Sequence, residues 1–369
     1  MKKKKELILF MPFMGGGGVE KNLFIISNFL VSKIENVTVC TTLKVFKNKF
    51  NKKIKFLTPS QKISKNINIR INYLICLFVL FKYLRKNKNC VVFSFQANVY
   101  CILLCKLLNI KIIVRSNSSP SGWYHNIIKK IIYKKIISLA DRVIVNSLEF
   151  KKQMLDRFNI KVNCIYNPLN ISKILNDSKK GKIDNFFENK KNVLKIINMG
   201  RFTEQKDQIT LLKAVNLLKK KINFRLLIIG RGVEKINLLN FIKENNLKNK
   251  VKIRNFMENP FKVVKQSDLF VLSSKYEGLP NVLLEALVLN KFIISSNCPT
   301  GPKEILLNGK GGLLFKVGNY VELANKINNY FNKKNQFKKM FLFSKKKLHR
   351  FDQKKNLNEY YNLIKGFIN

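Results

Sequence analysis

Histidine is almost absent from this chain, which has only 2 among its 369 residues. The cysteines are scattered and form no CxxC pair; they are Cys40, Cys76, Cys90, Cys101, Cys105, Cys164 and Cys298. Zinc sites need closely spaced Cys and His ligands, and disulfide frameworks need recurring Cys spacings. The sequence therefore predicts neither, and we expect buried thiols in a reducing cytoplasm.

Long apolar runs are missing as well. The longest, Tyr73 to Leu84, is interrupted by Lys82 and falls short of the roughly 20 apolar residues that a membrane-spanning helix needs. The run Leu7 to Phe13 meets Gly15 without a cleavage site of small residues, which indicates a strand and not a signal peptide. We therefore expect no spanning segment.

Acidic residues are few: 21 Asp and Glu stand against 71 Lys and Arg, which gives a net charge of +50. Such an excess favours anionic partners, such as nucleic acid or an anionic membrane. Lysine is spread along the whole chain beside Asn, Ile and Phe, a pattern that A/T-biased codons also produce. Charge alone therefore predicts attraction to acidic surfaces and no specific nucleic acid.

Strand-like apolar runs alternate with helical patterns along the chain, which is typical of parallel sheets with crossover helices. A polar stretch of poor periodicity begins at Asn167-Pro168. We predict Rossmann-like domains at 1–168 and 193–334, a linker at 169–192 and a helical segment at 335–369. The predicted strands are Leu7 to Phe13, Val37 to Thr41, Val91 to Phe95, Lys111 to Arg115, Arg142 to Asn146, Leu194 to Met199, Phe224 to Ile229, Val251 to Asn255, Leu269 to Leu272 and Phe292 to Ser295.

A glycine run, residues 15–18, lies between a predicted strand and a predicted helix. Its backbone amides and the helix N-terminus can approach a phosphate or a sugar closely. The run has neither GxGxxG spacing nor a Walker lysine, so a tight turn is the alternative interpretation.

A second strand-to-helix turn, Asn198 to Asp207, carries Arg201 and Lys206. Arg201 can form two parallel bonds to phosphate oxygens, and Lys206 supplies a mobile point charge beside the amides of the helix start. The turn therefore suits a diphosphate, with solvated surface cations as the alternative.

Two carboxylates follow, Glu277 in a loop and Glu285 within the next predicted helix. Carboxylates accept hydrogen bonds from vicinal hydroxyls, so Glu277 on a hexose and Glu285 on a ribose make one donor site; solvent-facing acids are the alternative. Asn281 is predicted to cap the helix. The loop Asn297 to Ile305 follows the next strand, and ligands of open parallel sheets bind beyond the strands' carboxyl ends, so these loops are predicted to share one edge.

With these motifs the chain resembles glycosyltransferase family 4, in the branch that builds bacterial lipopolysaccharide, capsule and exopolysaccharide. The arginine–lysine turn, the glutamate pair and the CPTGP-x-EI loop carry the resemblance, which is strongest from Met199 to Phe315. It implies the α/β fold called GT-B: two facing Rossmann-like domains, acceptor-binding and nucleotide-sugar-binding, with a C-terminal helix packing back on the first. It also implies a retaining enzyme with no cofactor and no metal.

The resemblance also implies site residues. Glu277, Arg201 and Lys206 would be catalytic. The donor would be bound by Gly17, Gly18, Gly200, Arg201, Lys206, Gly230, Asn255, Phe256, Glu277, Gly278, Leu279, Pro280, Asn281, Val282 and Glu285. The acceptor side is assigned to Arg115 and Asn117, in a segment, Arg115 to Pro120, that lacks the acidic residue this branch often has there.

The implied function is transfer of a hexose or N-acetylhexosamine from a UDP-linked nucleotide sugar to a lipid-linked or membrane-borne glycan in surface polysaccharide biosynthesis. Tyr124 to Ile137 sets lysines beside bulky apolar residues in one predicted helix, which fits either an anionic bilayer surface or an ordinary packed helix. We expect a peripheral protein on the cytoplasmic face of the membrane. A polyanion- or glycan-binding protein derived from a glycosyltransferase, and a sugar-phosphate synthase or phosphorylase, stay open as alternatives.

Overall fold

A computed structural model describes residues 4–42, 46–60, 68–117, 126–181, 183–187 and 192–368. The chain forms two compact units: unit 1 runs from Met1 to Pro168 and from Phe351 to Asn369, and unit 2 from Leu169 to Arg350. Residues 118–125, which include the start of the predicted basic helix, lie outside the described residues.

Unit 1 is built on a sheet of 7 parallel strands in the order β3-β2-β1-β4-β5-β6-β7. The strands are β1 (Glu6–Phe10), β2 (Val37–Cys40), β3 (Lys55–Leu57), β4 (Cys90–Ser94), β5 (Lys111–Arg115), β6 (Arg142–Val145) and β7 (Asn163–Cys164). The helices that join them are α1 (Gly18–Leu30), α2 (Ile69–Lys86), α3 (Asn98–Leu107), α4 (Ile127–Ser138) and α5 (Leu148–Phe158).

Both faces of this sheet are covered by helices. On one face α1 packs Leu23, Ile26 and Leu30 against the strands. On the other face α2 to α5 supply a second apolar cluster, which includes Cys76 and Leu80. Sheets buried on both faces need strands that are apolar throughout. This is why every residue of β1 after Glu6 is apolar. The cysteines are free thiols, and all but the half-buried Cys164 are buried, as expected.

Unit 2 is built on a sheet of 6 parallel strands in the order β10-β9-β8-β11-β12-β13. The strands are β8 (Leu194–Met199), β9 (Phe224–Gly230), β10 (Val251–Asn255), β11 (Leu269–Leu272), β12 (Phe292–Ser296) and β13 (Leu313–Phe315). The helices are α6 (Ile171–Lys179), α7 (Gln208–Leu218), α8 (Lys235–Glu244), α9 (Phe261–Gln266), α10 (Asn281–Val288), α11 (Pro302–Ile305), α12 (Tyr320–Asn332) and α13 (Lys338–Lys346). A last helix, α14 (Gln353–Ile368), belongs to unit 1.

The segments predicted as linker and terminal helix are divided differently in the structure. Residues 169–192 contain α6, which packs against α9 and α10 of unit 2 and buries Ile174. Asn259 Nδ2 also donates to the carbonyl of Asp177 at 2.9 Å. The buried side chains of Leu169, Ile174, Phe186 and Phe187 hold this segment in unit 2, although its composition is polar overall. Residues 335–369 are split as well, because α13 belongs to unit 2 and only α14 to unit 1.

None of the helices in the described ranges is both long enough and apolar enough to cross a membrane.

Lys291, immediately before β12, is a buried lysine on which the stability of unit 2 should depend. Its Nζ donates to the carbonyls of Lys265 (2.7 Å) and Ser267 (2.6 Å). Burial lowers the pKa of Lys291 to about 8, from 10.5. Between these values the unfolded chain holds a proton that the folded chain has released, so the free energy of unfolding contributed by Lys291 rises with pH there.

Urea unfolding of wild type and Lys291→Met across this alkaline range checks that expectation. The difference between wild type and variant should grow in favour of wild type as pH rises. Lys243→Met, which replaces an exposed lysine of α8, is the matched control and should show a constant difference. A constant difference for Lys291→Met as well would contradict the lowered pKa.

Candidate functional site

The strand order of unit 2 reverses between β8 and β11, and open α/β sheets leave their ligand crevice at such a point. The loop after β8 carries Lys206, and the loop after β11 carries Glu277. Lys206 Nζ lies 2.5 Å from Glu277 Oε1, and the two side chains are 16% and 7% exposed. Their attraction is therefore screened much less by water and salt than that of a surface ion pair.

Glu277 is oriented by all three loops at this edge. Ser274 Oγ donates to the same Oε1 at 2.6 Å, and Thr300 Oγ1 donates to the backbone carbonyl of Glu277. The Glu277 amide donates to the carbonyl of Pro299 at 3.3 Å. No described residue donates to Oε2, so this oxygen can accept a ligand hydroxyl.

Close backbone approaches fix the spacing of these loops. A Cβ on Gly230 would lie 1.9 Å from the carbonyl oxygen of Gly200, and one on Gly301 would lie 1.9 Å from that of Gly278. Gly301 also has a φ of 82°, a conformation that favours glycine. Gly200, Gly230 and Gly278, predicted as donor-binding residues, therefore also shape the site by packing.

Arg201 lies on the same turn as Lys206. Phe202 anchors the turn as a fully buried side chain, and Gln208 Nε2 donates to the carbonyl of Arg201 at 3.0 Å. The guanidinium itself is exposed, and none of the described residues bonds to it. The backbone is thus fixed while the charged group stays available to an anion.

The next two strands, β9 and β10, end at Gly230 and Asn255, which with Phe256 are predicted to bind the donor. The Arg231 guanidinium lies 4.8 Å above the ring centroid of the half-exposed Phe256. Lys235 Nζ donates to Asn255 Oδ1 at 2.9 Å. A half-exposed aromatic ring beside a guanidinium is the kind of surface on which a nucleobase can rest. The prediction concerned backbone amides near Gly230 to Gly232, so the role of the Arg231 side chain is new.

Glu285 lies in α10, directly after the Glu277 loop, and its side chain is buried. Leu279 is buried too, and Val282 half-buried. Asn281, predicted to cap α10, is instead its first helical residue. The cap is Pro280, whose extended backbone (φ −72°, ψ 104°) supplies the turn without a side-chain bond.

In unit 1 the glycine run begins α1, with Gly17 as its cap and Gly18 as its first residue. The buried Glu20 reaches back, and its Oε1 accepts a 2.8 Å hydrogen bond from the Gly15 amide. A carboxylate thus occupies a place beside these amides that a phosphate would need. The loop suits an uncharged sugar hydroxyl better than an anion.

Arg115 and Asn117, predicted on the acceptor side, have different environments. Arg115 is fully buried: Nε donates to the hydroxyl of Tyr360 at 2.8 Å, and NH2 donates to Asn167 Oδ1. This corrects the prediction, because the guanidinium joins β5 to α14 and is closed to an acceptor. Asn117 donates from Nδ2 to the carbonyl of Phe95 at 2.7 Å, and its Oδ1 has no partner among the described residues.

Residues 179–357, which include every loop of the unit 2 site, match the family model of the group 1 glycosyl transferases. The match covers most of unit 2 and the start of α14, which together are just under half of the chain. The sequence-based recognition is confirmed as a glycosyltransferase of the bacterial surface-polysaccharide type.

Individual relatives extend the similarity beyond unit 2. An uncharacterized glycosyltransferase of Methanocaldococcus jannaschii is 38% identical over 203 residues, which are 52% of this chain and only 49% of that protein. The N-acetylgalactosamine-N,N'-diacetylbacillosaminyl-diphospho-undecaprenol 4-alpha-N-acetylgalactosaminyltransferase of Campylobacter jejuni is 28% identical over 328 residues, 85% of this chain and 87% of that one.

Solved structures confirm the predicted GT-B fold. Anabaena HepE in complex with UDP-glucose superposes with a TM-score of 0.77 over 98% of this chain and 100% of that one, at 16% identity. At this identity the similarity concerns the fold.

Proposed function

We propose that this glycosyltransferase transfers a hexose or N-acetylhexosamine from a UDP-linked sugar to a lipid-linked or membrane-borne glycan, with retention of configuration and without a metal or cofactor. The observation that carries the proposal is the shielded Lys206–Glu277 pair at the reversal point of the unit 2 sheet. The names of the Campylobacter relative and of the HepE complex support a lipid-linked acceptor and a UDP-sugar donor. Such an enzyme would work as a peripheral protein on the cytoplasmic face, in surface polysaccharide biosynthesis.

In this proposal Lys206 and Arg201 bind the diphosphate. An ammonium has three N–H donors, so Lys206 can keep its bond to Glu277 and still donate to phosphate oxygens. Arg201 adds a planar fork from the exposed side of the turn. Glu277 Oε2 accepts a hydroxyl of the transferred sugar, Glu285 binds the ribose, and Phe256 with Asn255 and Gly230 lines the base.

The reaction would proceed by front-face attack. The acceptor hydroxyl oxygen forms a bond to the anomeric carbon as the bond from that carbon to the diphosphate oxygen breaks. The departing oxygen takes the hydroxyl proton, and Lys206 and Arg201 stabilise its developing charge. The protein contributes position and electrostatics, and neither a covalent intermediate nor a second carboxylate across the bond is needed.

The roles of the two glutamates can be separated kinetically. Glu285→Gln should raise KM for the nucleotide sugar with little change in sugar preference, because the change affects the ribose. Glu277→Gln should mainly lower kcat through the sugar. Glu244→Gln, an exposed glutamate at the end of α8, is the control. Identical kinetic profiles for the Glu277 and Glu285 variants would show that the roles are divided wrongly.

Turnover of radiolabelled UDP-sugars with membranes tests the proposal itself. We expect sugar transferred into the lipid fraction, unchanged by a chelator, and an α-linked product from an α-linked donor. Loss of turnover with chelator would contradict the metal-free mechanism. Binding of polyanions without any turnover would favour a non-catalytic protein, and release of a soluble sugar phosphate would favour a synthase or phosphorylase.

A further inference from the structure

Three neighbouring helices of unit 1 expose apolar side chains on their outer faces. On α2 the inward residues are Cys76, Leu80 and Leu84, while Leu74 (64% exposed) and Phe78 (56%) point away from the core. The helix α3 contacts α2 on one side and α4 on the other. The full outer set is Ile69, Ile71, Leu74 and Phe78 of α2, Tyr100, Leu103 and Leu107 of α3, and Ile127, Ile128, Ile131 and Ile132 of α4.

Most of these side chains lie towards one end of the unit. Crossover helices of a parallel sheet run back against the strands, so their N-terminal ends lie at the carboxyl edge of the sheet. Eight of these eleven residues fall in the first half of their helices, Phe78 and Leu103 lie near the middle, and Leu107 lies at the other end. The apolar band therefore borders the edge that carries the glycine loop and Asn117.

The charges on these helices have one sign. None of the three contains Asp or Glu. Arginine and lysine share α2 and α4 with the apolar side chains, at Arg70, Lys82, Arg85, Lys86, Lys129, Lys130, Lys134 and Lys135. Lys82 Nζ lies 4.4 Å from the ring centroid of Phe78, and this phenylalanine is 56% exposed beside the cation. An apolar band that shares its helices with cations fits the interface of an anionic bilayer.

We propose that this outer face of α2, α3 and α4, the docking face, inserts apolar side chains into an anionic membrane and brings the carboxyl edge of the unit 1 sheet to the bilayer. The inference rests on the proposed membrane-borne acceptor. A second copy of the chain is a poorer partner, because a symmetric contact would place the same cations against each other. A polyanion is also a poorer partner, because binding by charge alone would give the exposed Leu74, Phe78 and Ile128 no role.

Co-sedimentation with vesicles of phosphatidylglycerol and phosphatidylethanolamine, and of phosphatidylcholine alone, tests the docking face. The triple variant Leu74→Ser, Phe78→Ser, Ile128→Ser should bind anionic vesicles at least roughly tenfold more weakly than wild type. The matched control is Leu217→Ser, Ile236→Ser, Leu239→Ser, which removes exposed apolar side chains of unit 2 and should bind as wild type does. Ile128→Trp should bind more tightly, which keeps the test valid if the triple variant folds poorly.

A salt series distinguishes binding by inserted apolar side chains from binding by charge. At about 1 M salt the Debye length falls to roughly 3 Å, so binding by lysines is lost while inserted side chains resist. Wild type should keep part of its binding there, and a variant with Lys129, Lys130, Lys134 and Lys135 changed to Gln should lose mainly its low-salt binding. Complete release of wild type by salt, or an unchanged triple variant, would overturn the proposal. So would a dimer in sedimentation velocity that the triple substitution dissociates without affecting vesicle binding.

UDP binding, measured by calorimetry on the same variants, keeps the two proposals apart. The docking-face variants should bind UDP as wild type does. If wild type fails to bind UDP while the vesicle results hold, the donor assignment fails and the docking face stands. If UDP binds normally and the triple variant sediments like wild type, the docking face fails and the donor assignment stands.

Discussion

Replacing Lys206 with alanine is expected to lower kcat/KM for the nucleotide sugar. The expected loss of transition-state stabilisation is roughly 2 to 5 kcal/mol. The variant loses a cation from the diphosphate and leaves the Glu277 carboxylate, 7% exposed, without its counter-charge. Both effects act on the same step, because an unpaired carboxylate repels the departing diphosphate. Arg201→Ala should fall in the same range if the site closes over the donor.

A second lysine–glutamate pair joins the same two loops and serves as a control. Lys275 Nζ lies 2.7 Å from Glu204 Oε1, but these side chains are 42% and 85% exposed. Exposed pairs contribute little, so Lys275→Ala should stay within roughly twofold of wild type. Steady-state kinetics on purified variants provides the measurement. Near-normal turnover of Lys206→Ala and Arg201→Ala would remove the diphosphate assignment.

Tyr360→Phe is expected to destabilise unit 1 by roughly 1.5 to 3 kcal/mol, the range for a hydrogen bond to a charged group. The substitution removes one oxygen and keeps the ring that packs against Phe93. It leaves Arg115 Nε buried without its acceptor, while NH1 already lacks a partner among the residues that the structure describes. Burial raises the pKa of Tyr360, so the hydroxyl is neutral and accepts the bond at ordinary pH.

Tyr361→Phe, on the half-buried neighbouring position of α14, is the matched control and should change stability little. Chemical denaturation followed by circular dichroism measures both variants. Equal stability of Tyr360→Phe and wild type would mean that water or a rearranged side chain satisfies Arg115, and that the link between β5 and α14 is weak.

Each strand that is long enough to have its own apolar run was predicted from the sequence. The prediction missed β3, β7 and β13, which have only 3, 2 and 3 residues. Such short strands are defined by their parallel neighbours, and their own sequences hardly distinguish them from loops. The linker was misjudged for a related reason, since α6 is amphipathic within a polar stretch and its partners lie about 80 residues further along.

The meeting of Lys206 and Glu277 at one edge of the unit 2 sheet was predictable because acidic residues and glycines are uncommon in this chain. Glu277 and Glu285 stand out in a chain with few acids, and glycines mark the turns. The hydroxyls of Ser274 and Thr300, which orient Glu277, could not be predicted from the sequence, since Ser and Thr occur in every kind of loop. Arg115 was misassigned because its burial depends on Tyr360, 245 positions away in sequence.

Unit 1 is discontinuous, since α14 is separated from the rest of it by all of unit 2. On the ribosome, unit 2 therefore has its whole sequence available while unit 1 still lacks Leu357, Tyr360 and Ile364, which are part of its core. The first part of unit 1 ends at Pro168, and the 201 residues from Leu169 to Asn369 take roughly 10 to 40 seconds to synthesise at about 5 to 20 residues per second. During this time the apolar side of the first sheet that α14 later covers has no native neighbour, and Arg115 has no phenol oxygen to bond. Native assembly should therefore be completed in reverse order, with the second unit finished first and the nascent first unit dependent on chaperones until its last helix emerges.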